Sequence, residues 1–239
     1  MTQMLTTTDG TSIYYKDWGN GPVVVFSHGW PLSSDAFEDQ MLFLAEHGYR
    51  VIAFDRRGHG RSSQPWTGHN IDQYAQDMHQ LIEHLGLTEF ALVGHSTGGA
   101  VVTRYTTTYG QHKVTKLALI AAVTPLMIKR DDHLDGMDSD VFDEMRANLL
   151  ANRADFYLDF AKTFYGYDKV LNKTSEGVIQ NFWRIAMQGS IKAHYDSIHA
   201  FSETDLREDL TRIAVPTLVL YGTADEIVPP EICSQQTVK

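Results

Sequence analysis

Phe90–Ala100 reads FALVGHSTGGA. A short apolar run stops at Gly94, Ser96 follows, and Gly98 and Gly99 come next. Such a pattern asks for a buried strand, a turn with almost no room for side chains, and a helix. The same rhythm recurs along the first half of the chain. Thr11–Gly19 alternates and is rich in β-formers, which predicts a strand closed by a Gly-Asn-Gly-Pro turn. Pro22–Gly29 is a continuous apolar run ending at glycine, the mark of a strand buried on both faces.

Apolar residues at helical spacing (Phe37, Met41, Leu44) predict a helix over Ser34–His47, with Ser33 and Ser34 as caps. A strand at Arg50–Phe54, a helix at Ile71–Leu85, the strand at Phe90–Gly94, a helix from Thr97 to about Tyr109 and a strand at Lys116–Ala121 follow. Strands alternating with amphipathic helices imply βαβ units, and so a mostly parallel sheet with helices on both faces. The rhythm breaks at Val123–Pro125. From there to about Asp209 only helical patterns occur, at Val141–Leu150, Ala154–Phe164, Ser175–Met187 and Ile191–Phe201. The strand signal returns at Val215–Gly222. Residues 1–124 and 210–239 are therefore expected to form an α/β core. Residues 125–209 are expected to form a helical cap over the carboxyl ends of the strands, where open α/β sheets bind ligands.

Bulk properties narrow the function. The chain has 239 residues and a formal net charge of −10, which disfavours phosphate backbones and anionic lipid as partners. Its single cysteine, Cys233, excludes an intramolecular disulfide and a cysteine-built metal cluster. The N-terminus lacks a signal-peptide pattern and no apolar run is long enough to span a bilayer, so a cytoplasmic location is the expectation.

Gly94-His95-Ser96-Thr97-Gly98 fits G-x-S-x-G, and its predicted context, a strand before and a helix after, is the one the motif requires. A turn that sharp forces strain on the serine and lifts its hydroxyl to a helix N-terminus, where a developing negative charge is favoured. The plainer alternative is a serine N-cap on a glycine-flanked helix. An oxyanion hole needs two donors: the N–H of Thr97, and one from the loop Ser27-His28-Gly29-Trp30-Pro31. Pro31 has no N–H, so Trp30 is the candidate. His28 is read as bracing the loop rather than as a base.

FSHGW, AFDRRGHGRS (Ala53–Ser62), VGHSTGG and YGTADEIVPPE (Tyr221–Glu231), in this order, resemble the α/β-hydrolase superfamily. HGWPLS, FDRRGHGRSSQPW, AAVTPL and AFSETDL are similar, more narrowly, to its cofactor-free haloperoxidase/arylesterase (perhydrolase) group. The resemblance runs from about Thr6 to Glu231. It implies an α/β-hydrolase fold with an eight-stranded sheet, a helical cap, a Ser–Asp–His triad, and hydrolysis of small carboxylic esters with peracid formation, without metal, haem or other cofactor. Within it Ser96 matches the nucleophile and Asp225 the triad acid, with Glu226 the rival and an Asx-type turn the alternative role for Asp225. Trp30, Val123, Phe160, Phe164, Phe201 and Ile227 match pocket positions and imply a small apolar acyl site; each phenylalanine also suits the core of the cap. The loop Asp55–Ser62, with Arg56, Arg57, His59 and Arg61, is structural bracing in similar proteins. Pro31 after Trp30 resembles perhydrolytic members, in which hydrogen peroxide attacks the acyl-enzyme in place of water.

The triad order in this fold is Ser, Asp, His. All 11 histidines precede Asp225, so the base and the last strand and helix are missing from their expected place. Three readings stay open. The chain is a truncated form of a longer enzyme, which is the expectation because a helical pattern at Cys233–Lys239 breaks off without a cap; or it is a short homologue without triad catalysis; or another histidine substitutes, with His199 and His28 first in line. An uncovered apolar edge at Val215–Tyr221 would be a template for self-association, so a homo-oligomer is expected. Against the esterase stands a non-catalytic, ligand-binding homologue that keeps the pocket and lost the base.

Overall fold

The computed structural model of the chain describes residues 3–167 and 174–239. Part of the expected cap, residues 168–173, lies outside the described residues. Seven strands form one sheet: β1 (Met4–Thr6), β2 (Ser12–Gly19), β3 (Val23–Ser27), β4 (Arg50–Phe54), β5 (Phe90–His95), β6 (Val114–Ile120) and β7 (Thr217–Leu220), in the order β1-β2-β4-β3-β5-β6-β7. The first two pairings are antiparallel and the rest are parallel. The family resemblance implies eight strands, against these seven among the described residues.

The continuous apolar runs become central strands because they are buried from both sides. Along β3 and β4, Val25 and Ile52 point into the larger core, beneath helices α2 (Ile71–His84) and α3 (Thr97–Thr108). Val24, Phe26, Val51 and Ala53 point the other way, against Phe37 of a 3-10 turn (Ser34–Phe37) and Met41 of helix α1 (Glu38–Glu46). The expected helix at Ser34–His47 thus splits in two. Ser33 caps the 3-10 turn by accepting the Asp35 N–H at 3.3 Å.

After β6 the chain leaves the sheet and builds helices α4 (Ser139–Tyr165), α5 (Glu176–Gln188) and α6 (Ile191–Glu203), then the short α7 (Arg207–Thr211). The two helical segments expected before Tyr165 are continuous but kinked. Asn152 leaves helical geometry (φ −162°, ψ 89°), and its Oδ1 accepts the N–H groups of Ala154 and Asp155, capping the second half from within. These helices are tied to the loop after β4 and to α3. Ser190 N–H donates to Gly58 O at 2.8 Å, and the Arg104 side chain of α3 bonds Asp209 of α7. The segment after β7 ends in a four-residue helix, α8 (Ser234–Thr237), tied back where Thr237 Oγ1 donates to Thr124 O at 2.9 Å.

Candidate active site

Ser96 sits between β5 and α3 with φ 52° and ψ −121°. A non-glycine residue held there carries strain of about 1–3 kcal/mol. Two features enforce the turn. Gly98 lies so close to the end of β3 that an added Cβ would stand 2.0 Å from Ser27 O and 2.7 Å from His28 O. At Gly29 a Cβ would meet His95 Nδ1 at 2.7 Å and Ser96 Cβ at 3.1 Å. The loop after β3 and the start of α3 are therefore backbone against backbone.

Two residues that line a cavity with Ser96, Trp30 and Thr97, have backbone N–H groups without a backbone acceptor among the described residues. Thr97 opens α3, so its N–H has no acceptor within the helix. No acceptor among the described residues takes the backbone N–H of Trp30. The Trp30 ring is buried and held by the cap: its indole N–H donates to His194 O at 3.0 Å, and Tyr157, Phe160 and Phe201 pack around it.

Ser96 opens on two cavities. One, of about 110 Å³, is walled by Trp30, Val123, Phe160, Phe164, Phe201 and Ile227, the six residues expected to line an acyl site. Met127, Phe142, Met145 and Val228 are among its other lining residues; no sequence pattern marks them. The other cavity, of about 520 Å³, holds Ser96 together with Asp225, Glu226 and His95. Asp225 stands in the loop after β7. Its Oδ1 accepts the N–H groups of Ile227 and Val228, both at 2.9 Å, so the Asx-type turn and a place facing Ser96 coexist.

The histidines separate clearly. His28 is fully buried and both its ring nitrogens are engaged: Nε2 accepts the Arg56 N–H at 3.1 Å, which leaves Nδ1 to donate to Gly29 O at 2.8 Å. His199 is 69% exposed on α6 and pairs with Glu203 at 3.1 Å. Neither lines a cavity with Ser96. The histidine that does is His95, the variable position of the serine motif itself. Burial pushes its pKa down to about 4, against the pull of the Asp225 carboxylate. Among the described residues neither Ser96 Oγ nor the Asp225 carboxylate is hydrogen-bonded to an imidazole.

The Asp55–Ser62 loop is braced throughout. Asp55 accepts from Ser34 N–H, Ser34 Oγ and Arg61 N–H, and Arg57 makes a two-pronged pair with Asp77 at 2.6 Å. Arg57 and Arg61 thus pair with carboxylates of the fold, and Arg56 bonds backbone carbonyls.

Similar proteins match nearly the whole chain in sequence and fold. A non-heme haloperoxidase of Rhodococcus erythropolis is 52% identical over 226 residues, 94% of this chain and 82% of that protein. A bifunctional esterase/perhydrolase of Acinetobacter calcoaceticus is 49% identical over 98% of this chain and 86% of its own length. Among solved structures, a bromoperoxidase from Bacillus anthracis superposes with TM-score 0.94 at 40% identity, covering 99% of this chain and 87% of that one. An esterase from Exiguobacterium antarcticum gives 0.93 at 33% identity, covering 99% and 86%. The family defined by the α/β hydrolase fold matches residues 22–236. The chain belongs to the α/β hydrolase fold family.

Proposed function

We propose that the protein is a serine hydrolase of small carboxylic esters that also forms peracids. The observation that carries this reading is the strained Ser96, with the unbonded N–H groups of Trp30 and Thr97 beside it, at the mouth of an apolar cavity of about 110 Å³. Ser96 Oγ attacks the ester carbonyl, and the oxygen that gains charge is met by the two N–H groups. The C–O bond to the alcohol breaks, the alcohol leaves with a proton, and the acyl group stays on Ser96. Water then releases a carboxylic acid; hydrogen peroxide in its place releases a peracid, and Ser96 regains its proton. The peracid oxidises halide, which accounts for haloperoxidase activity without a metal or haem. The names of the relatives support this pairing of activities. Asp225 is assigned to orienting and stabilising the imidazolium of a histidine base.

A second reading is a ligand-binding homologue that takes the same small apolar compounds without turnover. It is supported by the lack of an imidazole bonded to both Ser96 and Asp225 among the described residues. Hydrolysis of p-nitrophenyl acetate, with Ser96→Ala as control, decides between them. Ser96-dependent turnover carries the first reading and its absence carries the second. Bromide oxidation in acetate and hydrogen peroxide reads out the peracid. We propose a cytoplasmic location, with which a single buried thiol is compatible, and a fractionation experiment tests that.

A further inference from the structure

Three arginines lie within six residues, and one differs from its neighbours. Arg57 bonds Asp77 and Asp9, and Arg61 bonds Asp55 and Asp35. Arg56 is fully buried and bonds no carboxylate. Its guanidinium donates to two backbone carbonyls, His28 O and, at 3.3 Å, Gly29 O, and rests 5.3 Å from the Tyr74 ring. Burial lowers its pKa only to about 10, so it stays charged at neutral pH. A buried guanidinium with no carboxylate in hydrogen-bond contact is costly to a fold even with Asp55 nearby, and its carbonyl partners say what it is placed to hold.

Those carbonyls belong to the loop that carries Trp30. Gly29 O accepts from Leu32 N–H at 3.1 Å and from the His28 ring at 2.8 Å as well as from Arg56. A trans peptide is planar, with its C=O and N–H antiparallel. Fixing Gly29 O toward Arg56 therefore fixes the Trp30 N–H in the opposite direction. We propose that Arg56 is a positioning residue: from behind the loop it clamps the His28 and Gly29 carbonyls and so keeps the Trp30 N–H turned toward Ser96. The inference rests on the serine-hydrolase reading for its catalytic consequence, and on the geometry alone for the clamp.

The clamp is tested by nuclear magnetic resonance on the unmodified chain. A guanidinium held by two carbonyls gives resolved, slowly exchanging Nη–H signals for Arg56; one averaged signal from free rotation would overturn the proposal. Arg56→Lys keeps the charge and loses the fork. The expected result is a shifted Trp30 backbone amide resonance, with that of Thr97 in place, and a kcat for p-nitrophenyl acetate about 10²-fold lower at unchanged KM. Arg57→Lys, as deeply buried, is expected to lower the melting temperature without moving either the Trp30 resonance or kcat. A folded Arg56→Lys whose Trp30 resonance stays put refutes the clamp. If the unmodified chain shows no Ser96-dependent turnover, the hydrolase reading fails, and the amide and guanidinium signals still decide the clamp.

Discussion

Ser96 and Asp225 face one cavity of about 520 Å³ from the turns that follow β5 and β7, with no hydrogen bond between them. Serine and acid thus line the same space from two different turns. The serine is held in its strained turn by the close packing at Gly98 and Gly29, and the aspartate by two backbone N–H groups. Replacing Ser96 should separate stability from activity. Ser96→Gly removes the penalty of a side chain at φ 52° and is expected to stabilise the fold by ~1 kcal/mol. The same variant should lose ester turnover to background. Thermal denaturation beside a p-nitrophenyl acetate assay checks both; an unchanged or lowered melting temperature would argue against strain at this turn.

Gly98→Ala probes the contact between the loop and α3. The new methyl would sit 2.0 Å from Ser27 O, a backbone atom that cannot rotate away. The expected cost is ~1–3 kcal/mol, read by urea denaturation, with a loss of turnover larger than that stability change explains. The helix start and the Trp30 loop must part to make room, and the two donors part with them.

The apolar cavity sets acyl-chain length. Phe160 packs edge-on to Trp30 at 5.5 Å and forms one wall. Phe160→Ala should shift preference from acetate toward hexanoate esters by roughly tenfold in the ratio of kcat/KM, since each added methylene finds space it lacked. A ratio that does not move would assign Phe160 to the core of the cap instead.

The sheet face around α1 should drive self-association. Leu218 and Leu220 of β7 are more than half exposed. They lie in register with Ala118 and Ile120, beside a groove that also takes in Phe26, Phe43 and Val93. Together with the unpaired edge of β7 among the described residues, this is a template for contact between copies. Sizing chromatography is expected to show concentration-dependent association. Leu218→Lys with Leu220→Lys should shift it toward the monomer and change stability little. Monomeric behaviour of the unmodified chain at high concentration would remove the basis for a homo-oligomer.

The sheet core was legible because its strands are continuous apolar runs: Arg50–Phe54 was read with the bounds it has. The edge strand Met4–Thr6 and the helix Arg207–Thr211 were missed, each too short to display a period. The turn at Ser96 between a strand and a helix was legible because its motif has a mechanical logic. His95 was overlooked because it fills the position that the motif leaves open, and only the fold shows that this position faces Asp225. The wall residues Met127 and Met145 come from a loop and from α4 and meet only once the cap is in place.

Acid should unfold this protein early. His28, His59 and His194 are fully buried, and burial holds the first two well below their ordinary pKa and the third at about 3; His95 stands at about 4. In the unfolded chain each titrates near 6.5. A histidine whose folded pKa is depressed binds fewer protons folded than unfolded between those two values. Its contribution is complete above pH 6.5 and is lost as pH falls below it. Between pH 7 and 5.5 each of these histidines gives up part of that contribution, and the four act in the same direction. Urea denaturation across this range should show a steep fall in midpoint. His194→Gln should flatten it by the share of one residue, although removing the ring's bond to Tyr157 lowers the plateau. A midpoint that stays level from pH 7 to 5.5 would mean that these rings take up protons within the fold.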